Sequence, residues 1–190
     1  MKSKMILSIR RYRVLLSFFV ITLNFPSAAW SQWSEEDKLI ASDGLSSDFF
    51  GASTSISGNI AVVGANGHDE LGLSSGAAYI FENDGTGNWT QTAKLLPSDG
   101  AQSDQFGLRV AVSGNIVVLS SRFDDDNGNN SGSAYVYEKN MSGEWNQTAK
   151  LLPNDGEASD VFGWSISISG NSIVVGARNE NENGFEAGAA

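Results

Sequence analysis

Apolar and polar positions recur along the chain with a period of 56 residues, and three copies align without a gap. Each copy opens on a stretch where larger side chains alternate with small ones. Ile56 stands among Ser53, Thr54, Ser55 and Ser57 in the first, Leu108, Val110 and Val112 mark the second, and Trp164, Ile166 and Ile168 the third. Period two is the mark of a strand, so first strands are expected over 51–57, 107–113 and 163–169. A Ser-Gly-Asn turn follows each, at Gly58-Asn59, Gly114-Asn115 and Gly170-Asn171. These are two-residue hairpin signals in which Gly and Asn tolerate positive φ. The return strands, Ile60-Ala61-Val62-Val63, Ile116-Val117-Val118-Leu119 and Ser172-Ile173-Val174-Val175, lack polar alternation, which predicts burial on both faces.

A third strand is expected at Gly76-Ala77-Ala78-Tyr79-Ile80-Phe81 and at Gly132-Ser133-Ala134-Tyr135-Val136-Tyr137. Between second and third strands lies a polar loop of about ten residues, the segment best placed to carry function. A fourth strand starts at each tryptophan, Trp89 to Leu96 and Trp145 to Leu152, and its mixture of Thr, Gln and Lys with apolar positions suits an outer, half-exposed edge. Four antiparallel strands per copy, with small residues on the first and aromatics further out, describe wedges. Wedges around an axis make a β-propeller. The expected fold class is therefore all-β, with propeller blades of four antiparallel strands; a linear β-solenoid is the alternative.

Phe50-Gly51, then a strand, a turn and Val63-Gly64-Ala65, then Gly76-Ala77-Ala78-Tyr79-Ile80-Phe81 resembles the FG-GAP repeat, the blade of integrin α-chain propellers and of many bacterial exported proteins. Phe162-Gly163, Val175-Gly176-Ala177 and Gly188-Ala189-Ala190 repeat the match, while Leu119-Ser120-Ser121 departs from it. The resemblance covers 33–190. It implies a secreted or cell-surface propeller that binds protein or carbohydrate, often with calcium in blade loops. Integrin-type calcium loops fall between first and second strands, where this chain has the tight Ser-Gly-Asn turn.

Residues 41–96 are assigned to blade 1, 97–152 to blade 2 and 153–190 to a partial blade 3. Trp33 to Ile40 aligns with the fourth strand although no earlier strands precede it, so 33–40 is read as a closing strand. With two whole blades and part of a third, the chain reads as an incomplete propeller, a fragment of a longer protein. Self-association is the alternative route to closure.

Composition changes the picture at the N-terminus. Lys2, Lys4, Arg10, Arg11 and Arg13 precede the apolar run Val14 to Phe25, and Ala29 and Ser31 provide small residues for cleavage before Gln32. Residues 1–31 are thus expected to be a secretory signal peptide, too short in its apolar run to span a membrane. The remainder, 32–190, holds seven basic and all 22 acidic residues, a net charge of −15. Such a domain repels nucleic acid and anionic membranes. Cysteine is absent, which excludes disulfides, thiolate metal sites and a cysteine nucleophile.

The candidate metal ligands are Asp124, Asp125, Asp126, Asn127 and Asn130, oxygen donors on a Gly-containing loop that suits a hard cation such as Ca²⁺. The EF-hand spacing fails there, and a solvated acidic turn is the competing reading. The third-copy loop, Asn179 to Gly184, carries oxygen side chains, and the first retains His68, Asp69 and Glu70. The recurring pairs Asp43 and Asp48, Asp99 and Asp104, and Asp155 and Asp160 read as turn and capping aspartates rather than acid–base catalysts, because they occur in every copy. His68, the only histidine, has no nucleophile motif beside it. Trp164 breaks the repeat where Ala52 and Leu108 stand. Asn88, Asn129, Asn140 and Asn146 begin glycosylation sequons. The expected function is a non-enzymatic, exported binding or adhesion module for an extracellular protein or carbohydrate, with no catalytic residues. The alternatives are a propeller hydrolase or lyase with its site in other blades, and a structural surface repeat.

Overall fold

The computed structural model describes residues 37–190, and no helix occurs among them. The expected leader over 1–31 and residues 33–36 of the expected closing strand lie outside the described residues; residues 37–40 belong to no strand. The first sheet runs β1 (Ser53–Ser57), β2 (Ile60–Ala65), β3 (Ala77–Asn83) and β4 (Trp89–Leu95), antiparallel and in chain order. The second repeats it with β5 (Val110–Ser113), β6 (Ile116–Ser121), β7 (Ser133–Lys139) and β8 (Trp145–Leu151). In the third, β9 (Phe162–Ser169) pairs with β10 (Ser172–Ala177), and Ala177 bridges to Ala189. That bridge keeps the register of Ala65 opposite Ala77 and Ser121 opposite Ser133. These are propeller blades.

Gly58, Gly114 and Gly170 have φ of 58°, 55° and 55°, while the following asparagines do not have positive φ. Positive φ at the first central residue alone is the pattern of a type II′ hairpin, in which glycine does the work. β2 is buried throughout, whereas β4 and β8 alternate half-buried and exposed positions, as expected for an inner and an outer strand. A register shift at Ile80/Phe81 and at Val136/Tyr137 puts an extra residue into each outer strand. Such bulges increase local twist and blunt an exposed edge.

Alternate residues of each sheet face opposite neighbours, so the core forms between blades. Ile60, Val62, Ile80 and Leu95 of the first blade pack on Val110, Val112, Leu119 and Tyr135 of the second. Val118, Ala134 and Leu151 of the second meet Val175, Ile166 and Ile168 of the third in the same way. Glycine lets the backbones touch. A Cβ on Gly64 would lie 1.9 Å from Gly107 O, and one on Gly76 2.1 Å from Phe106 O. Ser120 replaces that first glycine in the second blade; it sits against Gly163, and its hydroxyl accepts the Arg109 N–H at 3.0 Å. The small residues of β1 have a further use: the hydroxyls of Ser53, Ser55 and Ser57 accept N–H groups of Val110, Val112 and Gly114, each at 3.1 Å. Side chains of one innermost strand thus supply acceptors that a sheet ladder would otherwise provide.

Candidate functional site

The loop between second and third strands folds back to the outer strand in each complete blade. In blade 2, the Lys150 ammonium on β8 lies 2.8 Å from Asp99 Oδ2, 2.9 Å from Asp124 Oδ2 and 2.7 Å from Asp126 Oδ2. The Tyr135 hydroxyl on β7 is 2.9 Å from both Asp99 Oδ1 and Asp124 Oδ2. Burial works against the charge on Lys150, but the three carboxylates outweigh it and raise its pKa above the ordinary lysine value. Burial likewise tends to raise the Asp99 pKa, and the hydrogen bonds from Lys150 and Tyr135 bring it below the usual carboxylate range. Blade 1 builds the same cage with one change. Lys94 on β4 binds Asp43 Oδ2 at 2.7 Å, Glu70 Oε2, and His68 Nε2 at 2.7 Å. His68 stands where the second cage has Asp124, and its Nδ1 lies 3.1 Å from the buried Asp48 carboxylate. With Nδ1–H donated there, Nε2 is the acceptor for the ammonium.

The ligand atoms of Asp43, His68 and Glu70 fall within 4.8 Å of one another, a set able to hold a cation. The cation they surround is the lysine. Of the predicted calcium ligands, Asp124 and Asp126 converge on Lys150. Asp125 instead accepts the Asn130 N–H at 2.7 Å, Asn127 donates its side-chain amide to Pro153 O at 3.1 Å, and the Asn130 amide bonds Asn129. The five do not meet at a point, and a hard cation does not fit beside an ammonium held by the same oxygens. The second recurring aspartate caps a turn: Asp48, Asp104 and Asp160 accept the N–H of Leu45, Ala101 and Glu157 at 2.8, 2.7 and 2.7 Å. The cages had a legible signal, because Lys38, Lys94 and Lys150 share one register, as do the acids they could meet.

A second cluster does not repeat. Trp164, at the start of β9, has the guanidinium carbon of Arg178 4.5 Å and that of Arg122 5.0 Å from its ring centroid. Arg122 also lies over Phe123 at 4.4 Å. Burial and the neighbouring Arg109 charge lower its pKa below the ordinary arginine value, and its Nε is buried without a partner among the described residues. Arg109 donates to Leu108 O at 3.1 Å. No ion pair among the described residues involves any of the three arginines. Each of Lys94, Lys139 and Lys150 is paired with carboxylates. The uncompensated guanidinium charge of an acidic domain is therefore gathered around one indole, at the seam between blades 2 and 3.

Comparison with known proteins agrees with this architecture. The profile of the FG-GAP repeat matches three segments, residues 33–81, 89–137 and 145–190. Each match begins at the tryptophan of a fourth strand and continues through three strands of the following blade, so the matched unit and the folded sheet are staggered by one strand. No curated protein matches the chain.

Proposed function

Because the chain belongs to the FG-GAP repeat family, we propose that its β-propeller blades form an exported, non-catalytic binding module whose ligand is an extracellular protein or glycan bearing carboxylate or sulfate groups. The observation that carries this reading is the cluster of Arg109, Arg122 and Arg178 around Trp164. Guanidinium groups bind carboxylate and sulfate oxygens in a bidentate manner, and stacking on an aromatic face orients them for it. The unrepeated position of the cluster supports a ligand role, since residues that only hold blades together recur with the blades. Export is supported by the basic, apolar and small-residue order of 1–31.

The test is calorimetric titration of the full chain with an oligouronate and with a neutral oligosaccharide of equal length. Binding of the charged sugar alone is expected, weakened about tenfold or more by Trp164→Ala or Arg178→Ala. Equal binding of both sugars, or binding of neither and of no acidic protein, would overturn the reading.

A further inference from the structure

Three lysines and three acidic cages share the 56-residue register, but they are offset by one. Lys94 fills the cage of blade 1 and Lys150 that of blade 2. Lys38 has the equivalent position ahead of blade 1, is exposed, and forms no ion pair among the described residues. Blade 3 presents the complementary set of acids. Asp155, Asp160, Glu180 and Glu182 line a cavity of about 290 Å³. Glu180 Oε1 accepts the Glu182 N–H at 2.5 Å, as Asp124 Oδ1 accepts that of Asp126. Glu180 Oε2 therefore corresponds to the Asp124 oxygen that holds Lys150 and Tyr135, and it is buried with no hydrogen-bond partner among the described residues. A buried carboxylate oxygen without a partner is costly.

Backbone groups show the same offset. Between blades 1 and 2, the N–H groups of Ser103, Gln105 and Phe106 donate to the carbonyls of Leu73, Ser74 and Ser75, and the seam between blades 2 and 3 repeats this with Ser159, Val161 and Phe162. Among the described residues, the equivalent donors on blade 1, Ser47, Phe49 and Phe50, have no such bond, nor do the equivalent acceptors on blade 3, Phe185, Glu186 and Ala187. Yet the acceptor loop already has its working shape: Glu186 has φ of 51°, against 52° for Ser74 and 54° for Asn130. Beside it runs a groove of about 380 Å³ whose walls include Gly176, Ala177, Gly188 and Ala189. Those positions match the ones that receive Phe106-Gly107 in the first seam. Finally, Ile56 is 66% and Val174 56% exposed, while their counterparts Val112 and Val118 are buried at seams.

We propose that this chain recognises a second copy of itself head to tail: the blade 3 cage takes the Lys38 ammonium of another copy, and the adjoining groove takes its Phe50-Gly51. The two open faces are opposite faces of one repeat, so the contact is heterologous. Its core is apolar, and its polar groups are matched one for one with those of the internal seams.

Sedimentation of the full chain tests this with two charge reversals. The wild type is expected to associate, and Lys38→Glu and Glu182→Lys each to weaken association about tenfold or more. An equimolar mixture of the two variants should recover it, since the reversed charge at position 38 of one then meets the reversed charge at position 182 of the other, and the unaltered Lys38 meets an unaltered cage. Melting of each variant reports on blades 1 and 2, whose cages are untouched, and should match the wild type. A wild type that sediments as a single chain at its highest soluble concentration, a Lys38→Glu variant that associates normally, or association that requires Ca²⁺ and is abolished by a chelator would each overturn the proposal.

Discussion

Asp104 shows how one side chain carries opposing demands. It is buried and caps the turn at Ala101, and burial pushes its pKa up to about 6, with Asp124 and Asp125 adding repulsion and Lys150 opposing it. A carboxyl whose folded pKa exceeds its unfolded one favours folding when protonated, so its contribution is lost as pH rises from about 4 through 6. Asp104→Asn keeps an acceptor for the Ala101 N–H and removes the ionisation. The variant is expected to be more stable than the wild type by about 2 kcal/mol at pH 7, with the gap closing near pH 4, as measured by urea unfolding at both pH values. Gly76 is the opposite case, a residue whose only role is to be small. Gly76→Ala would drive a Cβ into Phe106 O at a φ of 90°, and a loss of about 3 kcal/mol or more is expected from the clash and the left-handed backbone together.

At the scale of the element, the lysine cage ties the outer strand to two loops that no ladder reaches. Lys150→Met leaves Asp99, Asp124 and Asp126 facing one another without their cation. Removing one partner of a buried pair costs about 3–5 kcal/mol, and thermal melting should show a loss of that order, larger than for the exposed substitution Met141→Ala. The same cages set the acid limit of the fold. Asp43, Glu70 and Asp99 have folded pKa values below their ordinary ones, so their stabilisation is present above about pH 4.5 and lost as pH falls further. The four strands per copy and the hairpins between them were legible in the sequence, because period-two alternation and Gly-Asn turns are local signals. The cages were not read from it. Lys150 lies 51 residues from Asp99 and 24 from Asp126, and a carboxylate run in a loop looks the same whether a metal, water or a lysine faces it.

For the whole molecule, the period of 56 was enough to place the blades but not to say how they adhere. The sequence marks Phe50-Gly51 and its copies as a recurring pair, and only the structure shows that Gly107 and Gly163 lie against the backbone of the preceding blade. Nor did alternation reveal that the serines of β1 donate no packing volume but accept hydrogen bonds from the next blade. Trp164 was visible as an exception to the repeat, while its arginine neighbours come from different blades and were not. The stagger between matched segment and sheet has a consequence for copy number. A unit running from one fourth-strand tryptophan to the next brings a lysine for the blade behind it and a cage for the lysine ahead. Such a unit is expected to be deletable or insertable in whole steps, as with removal of residues 89–144, with every internal lysine still finding acids. A cut taken at the blade boundaries instead would duplicate sheets but leave the covalent link between neighbours to chance.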